Sequence, residues 1–423
     1  MKTQQAGLDV EALRKQFPAL SQTLRGKRLV YLDNACTALK SEAVESRVRQ
    51  FYRFLGACGG KRSTHLLSQE VEAEVKEARQ TAAEFLGAES ANEIVFTSGT
   101  TEAANLVARA FPYEADRREV IITDLEHNAV FLPFYEAAQR GEIELKICRT
   151  KDARVDPAAM ARLVSEKTAL VAVTHASNVA GGVQPVAEIC RLAHARGARV
   201  FVDDAQYVSS HRENVHATQA DFCAFSSHKV AGPFGLGVLF GKEQELNRLR
   251  HYKVGGGSVK SISWKGEGLP EVRYLDAPMR FEAGVANFGA FGGLTAALRW
   301  LRAIPVAALR AHISSLVERA CEGIAKVPTI KLVGRPEDLA QGSLVSFYST
   351  HPDFSTTDFN LYLNHELEDR FVAVRAGEHC AHLLHQSLGI PATVRASFFA
   401  YNTLEEVDLL VDALKSYVKE ACE

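Results

Sequence analysis

The sequence lacks an excess of charge of either sign, because 49 lysines and arginines stand against 51 aspartates and glutamates in 423 residues. Such a balance offers no broad electrostatic surface for nucleic acid or for an anionic membrane. The chain also lacks a run of about 18 uncharged apolar residues, which a helix would need to span a bilayer. Its opening, Met1 to Gln16, has no continuous apolar segment of the secretory-signal type. We therefore expect a cytoplasmic protein that binds neither nucleic acid nor a membrane.

Closely spaced cysteine pairs are absent as well. The eight cysteines are scattered without a CxxC spacing, which disfavours a zinc site or a disulfide framework, and we expect no bound metal. Most of these cysteines are expected to be small buried residues. Cys380 differs because Arg375, His379 and His382 lie near it, and positive neighbours raise the thiolate fraction of a cysteine. A buried, unreactive thiol is the other interpretation of Cys380.

The length and the hydrophobic pattern predict two domains. A chain of 423 residues exceeds the ~250 to 300 residues at which a single core stops growing. Short apolar runs, mostly separated by helical patterns, predict a mostly parallel sheet. These runs are 93–96, 120–122, 145–147, 169–173, 200–202, 222–225 and 237–240. We expect a doubly wound α/β large domain over 29–290, a smaller α+β domain over 291–423, and an N-terminal segment, 1–28, that packs on the smaller domain.

A lysine and an aspartate follow two of these predicted strands. Lys229 ends the turn Ser226-Ser227-His228-Lys229, and Asp203 follows the run 200–202. Pyridoxal phosphate chemistry needs such a pair, because an amine must form an imine with the cofactor and a carboxylate keeps the pyridine nitrogen protonated. Since successive strand residues face opposite ways, only one of Asp203 and Asp204 can serve. A surface lysine after a buried strand is the other interpretation of Lys229.

Other polar residues lie where strands are predicted to end, which is where such sheets bind ligands. Ser98-Gly99-Thr100-Thr101-Glu102 opens a helix whose free N–H groups and threonine hydroxyls suit a phosphate, although a plain N-cap also explains it. His127 can lie over a pyridine ring, and Gln206 can point toward the phenolic oxygen of that ring. Arg395, within a later strand, can bind a carboxylate bidentately, or it can form a surface ion pair.

In order and spacing, these segments resemble the group II, or Suf-type, cysteine desulfurases and selenocysteine lyases. These are class V aminotransferase-like members of the fold-type I pyridoxal-phosphate enzymes. The resemblance covers nearly the whole chain, from Tyr31-Leu32-Asp33-Asn34-Ala35 to Tyr401-Asn402-Thr403. Each motif is weak alone, and their order and spacing together are specific. Between those ends they are Ser98 to Glu102, Glu126 to Ala129, Thr174 to Val179, Ser226 to Lys229, Arg280 to Gly284 and Arg375 to Cys380.

The resemblance implies a role for each candidate residue. Lys229 would bind the cofactor as an imine and move protons, Asp203 would pair with the pyridinium, and His127 would stack on the ring. Cys380 would attack the sulfur of L-cysteine as a thiolate, take up that sulfur as a persulfide, and release alanine. The remaining roles are the phosphate for Thr100, Thr101, Ser226 and His228, the phenolic oxygen for Gln206, and the substrate carboxylate for Asn178, Arg375 and Arg395.

The resemblance also implies partners. It predicts a homodimer with active sites at the subunit boundary, L-cysteine or L-selenocysteine as substrate, and a place in iron–sulfur cluster assembly. Because the stretch from Arg375 to Cys380 is short, the sulfur would leave through a small acceptor protein, or a reducing thiol, that reaches into the site. Three positions depart from the pattern. Phe288 replaces a threonine that contacts the neighbouring subunit's phosphate, Asp204 replaces glycine, and Cys36 replaces a small unreactive residue.

The sequence is compatible with two other functions. The first is another class V reaction, that of an aminotransferase, an epimerase or a kynureninase-like lyase, in which Cys380 is not catalytic. The second is a non-catalytic scaffold or sulfur-carrier subunit that kept the fold. The presence of Lys229, Asp203 and the phosphate turn in one chain disfavours the scaffold.

Overall fold

The computed structural model describes residues 8–60 and 64–422. Its strands are β1 Thr23–Leu24, β2 Lys27–Tyr31, β3 Ile94–Thr97, β4 Glu119–Thr123, β5 Glu144–Cys148, β6 Thr168–Thr174, β7 Arg199–Asp203, β8 Phe222–Ser226, β9 Gly237–Gly241, β10 Val259–Ser263, β11 Glu271–Tyr274, β12 Ile330–Leu332, β13 Leu344–Ser349, β14 Arg370–Ala373, β15 Arg375–Gly377 and β16 Thr393–Ser397.

The helices alternate with the strands through the first half of the chain and dominate the second half. They are α1 Val10–Arg14, α2 Glu42–Gln50, α3 Leu66–Leu86, α4 Thr100–Ala110, α5 Asn128–Gln139, α6 Pro157–Leu163, α7 Val186–His194, α8 Val215–Thr218, α9 Glu243–Arg248, α10 Phe288–Ala303, α11 Val306–Ile324, α12 Pro336–Leu339, α13 Thr356–His365, α14 His382–Leu388 and α15 Leu404–Cys422. Within the described ranges, none combines the length and apolar character needed to cross a bilayer.

A seven-stranded sheet forms the centre of the molecule. Its order is β3-β9-β8-β7-β6-β4-β5, and β9 runs antiparallel to both of its neighbours while the other pairs are parallel. Every residue of β6 and β8 is buried, as expected for strands covered by helices on both faces. This sheet confirms the predicted doubly wound α/β fold, and the parallel strands bring the carboxyl ends of β3, β4, β6, β7 and β8 to one edge.

The second half of the chain builds a four-stranded sheet of order β12-β13-β16-β15. The N-terminal strand β2 pairs in parallel with β14, so residues 27–31 lie beside residues of the C-terminal region. Strand β16 ends at Ser397, although the apolar residues of the sequence continue to Ala400. The domain boundaries at residues 28 and 290 stay predictions.

A buried ion pair joins helix α3 to the connection before α10. The two terminal guanidinium nitrogens of Arg79 each donate to one carboxylate oxygen of Glu282, at 2.7 Å. Glu282 also accepts a hydrogen bond from the backbone N–H of Phe96, at 2.7 Å. Because Phe96 belongs to β3, this pair stabilises the strand that leads into the predicted phosphate turn.

Replacing Glu282 by alanine is expected to lower the free energy of unfolding by about 3 to 5 kcal/mol, because it leaves a buried guanidinium without its partner. Chemical denaturation followed by circular dichroism measures the loss. Glu84→Ala is the control, because it removes the exposed ion pair between Arg302 and Glu84 and should cost about 1 kcal/mol or less. Equal losses in the two variants would show that the buried pair has no special role.

Candidate active site

Lys229 lies at the edge of the central sheet, directly after β8. The turn is a short 3-10 helix, Ser227–Val230, and it ends at Ala231 in the left-handed region with φ 63°. Asp203 ends the neighbouring strand β7. Burial lowers the pKa of Lys229, and the negative charge of Asp203 opposes that shift. A lowered pKa increases the fraction of free amine, which is the form that attacks a carbonyl group.

The structure places Asp203 and Asp204 on opposite faces of β7. Asp203 lies on the Lys229 side, and its Oδ1 accepts a hydrogen bond from the N–H of Ala205 at 3.0 Å. Asp204 is fully buried on the other side, 2.7 Å from the Nδ1 atom of His175. Of the two carboxylates, Asp203 is therefore the one that faces the lysine.

The turn between β3 and α4 lies against the end of β8. The N–H of Thr100 donates to the Oγ of Ser226 at 2.9 Å, and the two side-chain hydroxyls are also 2.9 Å apart. Thr101 is exposed at the start of the helix. A Cβ atom on Gly237 would lie 2.4 Å from the Cα of Gly99, so glycine is required for β9 to approach the turn this closely. The helix N-terminus and the three hydroxyls form a cluster that suits a phosphate.

His228 and His127 flank the lysine. The Nδ1 atom of His228 is buried without a hydrogen-bond partner. His127 caps helix α5, since its Nδ1 accepts from the N–H of Ala129 at 3.0 Å; strand β4 has already ended at Thr123. Burial, with the charges of Lys229 and Arg395, lowers the pKa of His127 to about 3. The ring is therefore uncharged at neutral pH, as required for stacking on a cationic pyridinium.

Residues 33–40 cover the site through contacts with Gln206 and His228. The Gln206 side chain donates to the carbonyl of Ala35 at 2.8 Å, and the N–H of Ala38 donates to the carbonyl of His228 at 3.0 Å. Cys36 is half-buried in this segment and influences the pKa of Lys229 electrostatically. Gln206 thus bonds to the covering segment in this structure.

Two arginines share the carboxylate of Asp33, a partner that sequence reasoning missed. Arg375 approaches Asp33 to 2.8 Å, and Arg395 lies 3.3 Å from it. Arg395 is buried, donates to the backbone carbonyl of Asn178 at 3.0 Å, and keeps its Nε without a hydrogen-bond partner. A buried guanidinium with a spare donor can accept a substrate carboxylate.

Two hydrogen bonds join the Cys380 loop to segments that follow strands β4 and β6 of the central sheet. The Asn178 side chain donates to the carbonyl of His379 at 2.8 Å, and the N–H of Asn128 donates to the carbonyl of Cys380 at 2.7 Å. His379 and Cys380 both adopt the left-handed region, with φ 51° and 55°. The thiol of Cys380 is exposed, so the alternative of a buried thiol is wrong.

His379 does not supply the positive charge that the sequence suggested for Cys380. Burial, with the charge of Arg395, lowers the pKa of His379 to about 2, so the ring is neutral. Its Nε2 lies 2.9 Å from the hydroxyl of Thr393. His379 therefore anchors the loop rather than charging it.

Phe288, one of the departures from the family pattern, begins helix α10. Its ring packs near that of Phe291, with centroids 6.2 Å apart. A phenyl ring offers no hydroxyl, so this position cannot donate a hydrogen bond to a phosphate.

The chain matches a known family model, described as aminotransferase class V, over residues 30–410. The chain belongs to the class V aminotransferase family. Among curated relatives, a probable cysteine desulfurase of Halobacterium salinarum is 38% identical over 416 residues, which cover 97% of each chain.

Solved structures of this family show the same fold. The cysteine desulfurase CsdA of Escherichia coli is 32% identical, with a TM-score of 0.87, and the match covers 98% of this chain and 100% of that chain. The apo cysteine desulfurase of Thermococcus onnurineus NA1 is 31% identical, with a TM-score of 0.88, over 99% of this chain and 100% of that chain. The family and the fold predicted from the sequence are thereby confirmed.

Proposed function

We propose that this protein is a pyridoxal-phosphate-dependent cysteine desulfurase, which converts L-cysteine to L-alanine and forms a persulfide on Cys380. The observation that carries the proposal is the position of the Cys380 loop. Its exposed thiol belongs to a loop that is hydrogen-bonded to Asn128 and Asn178. These two residues come after the carboxyl ends of β4 and β6, at the same edge of the sheet as Lys229. The relatives named cysteine desulfurase support the same reaction.

The residues at the sheet edge fit pyridoxal phosphate. Thr100, Thr101 and Ser226 would hold the phosphate, and the buried, unpartnered Nδ1 of His228 offers a further polar contact. Asp203 would pair with the pyridine nitrogen, and the neutral ring of His127 would lie over the pyridine face. When bound, the cofactor supplies an electrophilic aldehyde and an electron-accepting ring.

The protein's own groups bind, orient and move protons. The Lys229 amine, with its lowered pKa, accepts and returns protons at the substrate carbon. Arg395 would hold the substrate carboxylate, while Asn178 keeps the Cys380 loop in place. The Cys380 thiolate attacks the substrate sulfur, so that an S–S bond forms as the carbon–sulfur bond breaks. L-cysteine and the thiol give L-alanine and a persulfide, without an external oxidant or reductant.

Arg395 provides a test of substrate binding. Arg395→Lys is expected to raise the KM for L-cysteine about 10- to 100-fold, because an ammonium cannot bind a carboxylate bidentately and a charge-assisted hydrogen bond is lost. The kcat and the cofactor absorbance should change much less. Steady-state alanine assays measure both constants. Arg319→Lys, which alters an exposed ion pair with Asp408, is the matched control; an unchanged KM in Arg395→Lys would remove Arg395 from the substrate site.

The overall activity is tested by measuring alanine and sulfide from L-cysteine, L-selenocysteine and L-cysteine sulfinate, with purified, cofactor-loaded protein and a reducing thiol. Alanine and sulfide from L-cysteine are expected. Formation of selenide from L-selenocysteine would add the lyase activity that the resemblance implied. Loaded protein that releases no alanine from L-cysteine would exclude the proposal and favour another class V reaction.

A homodimer and a small sulfur-acceptor protein complete the proposal. Exposed apolar side chains support the dimer: Trp264 and Leu269, between β10 and β11, are 71% and 97% exposed, and Tyr52 and Phe54 are also exposed. A second subunit would remove these apolar side chains from water. The short, anchored Cys380 loop supports an acceptor that reaches into the site. The role in iron–sulfur cluster assembly and the cytoplasmic location stay predictions.

A further inference from the structure

A buried cluster of charged side chains lies behind β7, on the face opposite Lys229. The Nδ1 atom of His175 is 2.7 Å from Asp204 and 3.0 Å from the Oε2 atom of Glu213. All three residues are at least nine-tenths buried. Two carboxylates this close together in a buried site require a positive partner or a proton.

The protonation of His175 satisfies that requirement. Burial lowers the pKa of His175, but the hydrogen bond to Asp204 and the negative charges of Asp204 and Glu213 outweigh it and raise the pKa to about 9. Burial and the charge of Glu213 raise the pKa of Asp204. At neutral pH the ring is therefore an imidazolium that holds the two carboxyl groups together.

This cluster is joined directly to the residues that face the proposed cofactor. The backbone N–H of His175 donates to the backbone carbonyl of Asp203 at 2.9 Å. The ring of Tyr207 stacks on the ring of His175, with centroids 3.5 Å apart and planes 11° apart. Asp203 and Gln206 were assigned to the cofactor, and each is followed by a residue, Asp204 or Tyr207, that contacts His175.

We propose that His175 is a positioning residue which, with Asp204 and Glu213, fixes segment 203–207 so that Asp203 and Gln206 are aimed at the bound cofactor. The inference rests on the proposed function. It gives Asp204, which replaces the family's usual glycine, a positioning role. The buried carboxylate of Asp204 acts from the face of the strand opposite Lys229. Replacing a group that orients a ligand-binding side chain typically changes the affinity for the ligand, although the group itself does not touch the ligand.

The test uses full-length Asp204→Asn and His175→Gln, each titrated with pyridoxal phosphate and followed by absorbance and circular dichroism at ~420 nm. Cofactor affinity is expected to fall about tenfold or more, and the dichroism per bound cofactor should fall, because Asp203 and Gln206 no longer hold the ring in one orientation. A purely structural role would lower thermal stability and leave the spectrum of the bound cofactor unchanged.

His194→Gln is the matched control. His194 pairs with Asp221 at 2.7 Å, a histidine–carboxylate pair like the first, but Asp221 precedes β8 and therefore lies at the opposite edge of the sheet. The control should lose stability without losing cofactor affinity or dichroism. Glu213→Gln serves as the milder variant if the others do not fold, because Oε1 of Glu213, which accepts from Asn214 and Thr218, is retained.

The inference would be overturned if a folded variant of His175, Asp204 or Glu213 kept the wild-type cofactor affinity and dichroism. It would also be overturned if His194→Gln lost as much cofactor affinity and dichroism as these variants. Elemental analysis adds an independent check, since one nitrogen or oxygen atom from each of the three side chains lies within 4.8 Å of the other two, close enough to hold a metal ion. A stoichiometric divalent metal that is lost in Asp204→Asn would also overturn it in favour of a metal centre. Wild-type protein that binds no pyridoxal phosphate would instead defeat the proposed function itself.

Discussion

Replacing Cys380 by alanine is expected to lower alanine formation from L-cysteine by at least ~10²-fold, because it removes the nucleophile that accepts the substrate sulfur. The absorbance band of the bound cofactor near ~420 nm should remain, since it depends on Lys229 rather than on Cys380. Alanine assays and absorbance spectra of the same preparation measure both results. Together they separate loss of chemistry from loss of the cofactor.

Cys58→Ala is the control for this prediction, because the side chain of Cys58, like that of Cys380, is exposed. Its activity should equal that of the wild type. Turnover in Cys380→Ala that stays close to wild type would make Cys380 incidental. In that case an aminotransferase, epimerase or kynureninase-like lyase would replace the desulfurase as the best-supported function.

Replacing Lys229 by alanine is expected to have a still larger effect. The variant should lose the ~420 nm band and lower alanine formation by ~10³-fold or more, because both the imine-forming amine and the proton carrier are removed. Absorbance spectroscopy and alanine assays measure the two losses. Lys229→Arg should behave similarly, since a guanidinium keeps the charge but cannot form the imine.

Lys242→Ala is the matched control. Lys242 is paired with Asp221 at the far edge of the sheet, so its loss should leave the band and the turnover intact. A Lys229→Ala variant that retains the band and the activity would place the reactive amine elsewhere. Borohydride reduction of the wild type, followed by peptide mapping, would then identify the lysine that carries it.

The central sheet could be predicted from the sequence because its strands are buried on both faces. The run 169–173 predicted β6, observed at Thr168–Thr174, and the run 200–202 predicted β7, observed at Arg199–Asp203. Continuous apolar runs bounded by polar turns are a local signal. The order of the strand ends then indicated which polar residues would meet, as Lys229 and Asp203 do.

Features that depend on distant residues could not be predicted in this way. The pairing of β2 with β14 joins residues more than 300 positions apart, and neither strand carries a signal for the other. The pairing of Asp33 with Arg375 and Arg395 could not be predicted either, because it too joins distant parts of the chain. The turn after β16 also involves a distant residue, since Asn402, which accepts a hydrogen bond from the N–H of Phe399, donates its side-chain amide to the carbonyl of Tyr31.

The electrostatic details of the site needed the structure as well. A sequence shows that His379 adjoins Cys380, but only burial reveals that the ring is neutral. Likewise, strand alternation shows that Asp203 and Asp204 point apart, but not that His175 and Glu213 meet Asp204. Protonation depends on burial and on neighbouring charges, which the fold determines.

The desulfurase function depends on transfer of the substrate sulfur to Cys380. Mass spectrometry of peptides from protein incubated with L-cysteine, then alkylated without reduction, detects that transfer. We expect the added mass of one sulfur atom on the peptide that contains Cys380, with an equivalent amount of alanine released. Released alanine with the added sulfur on another cysteine, such as Cys36, or with no protein-bound sulfur, would contradict it.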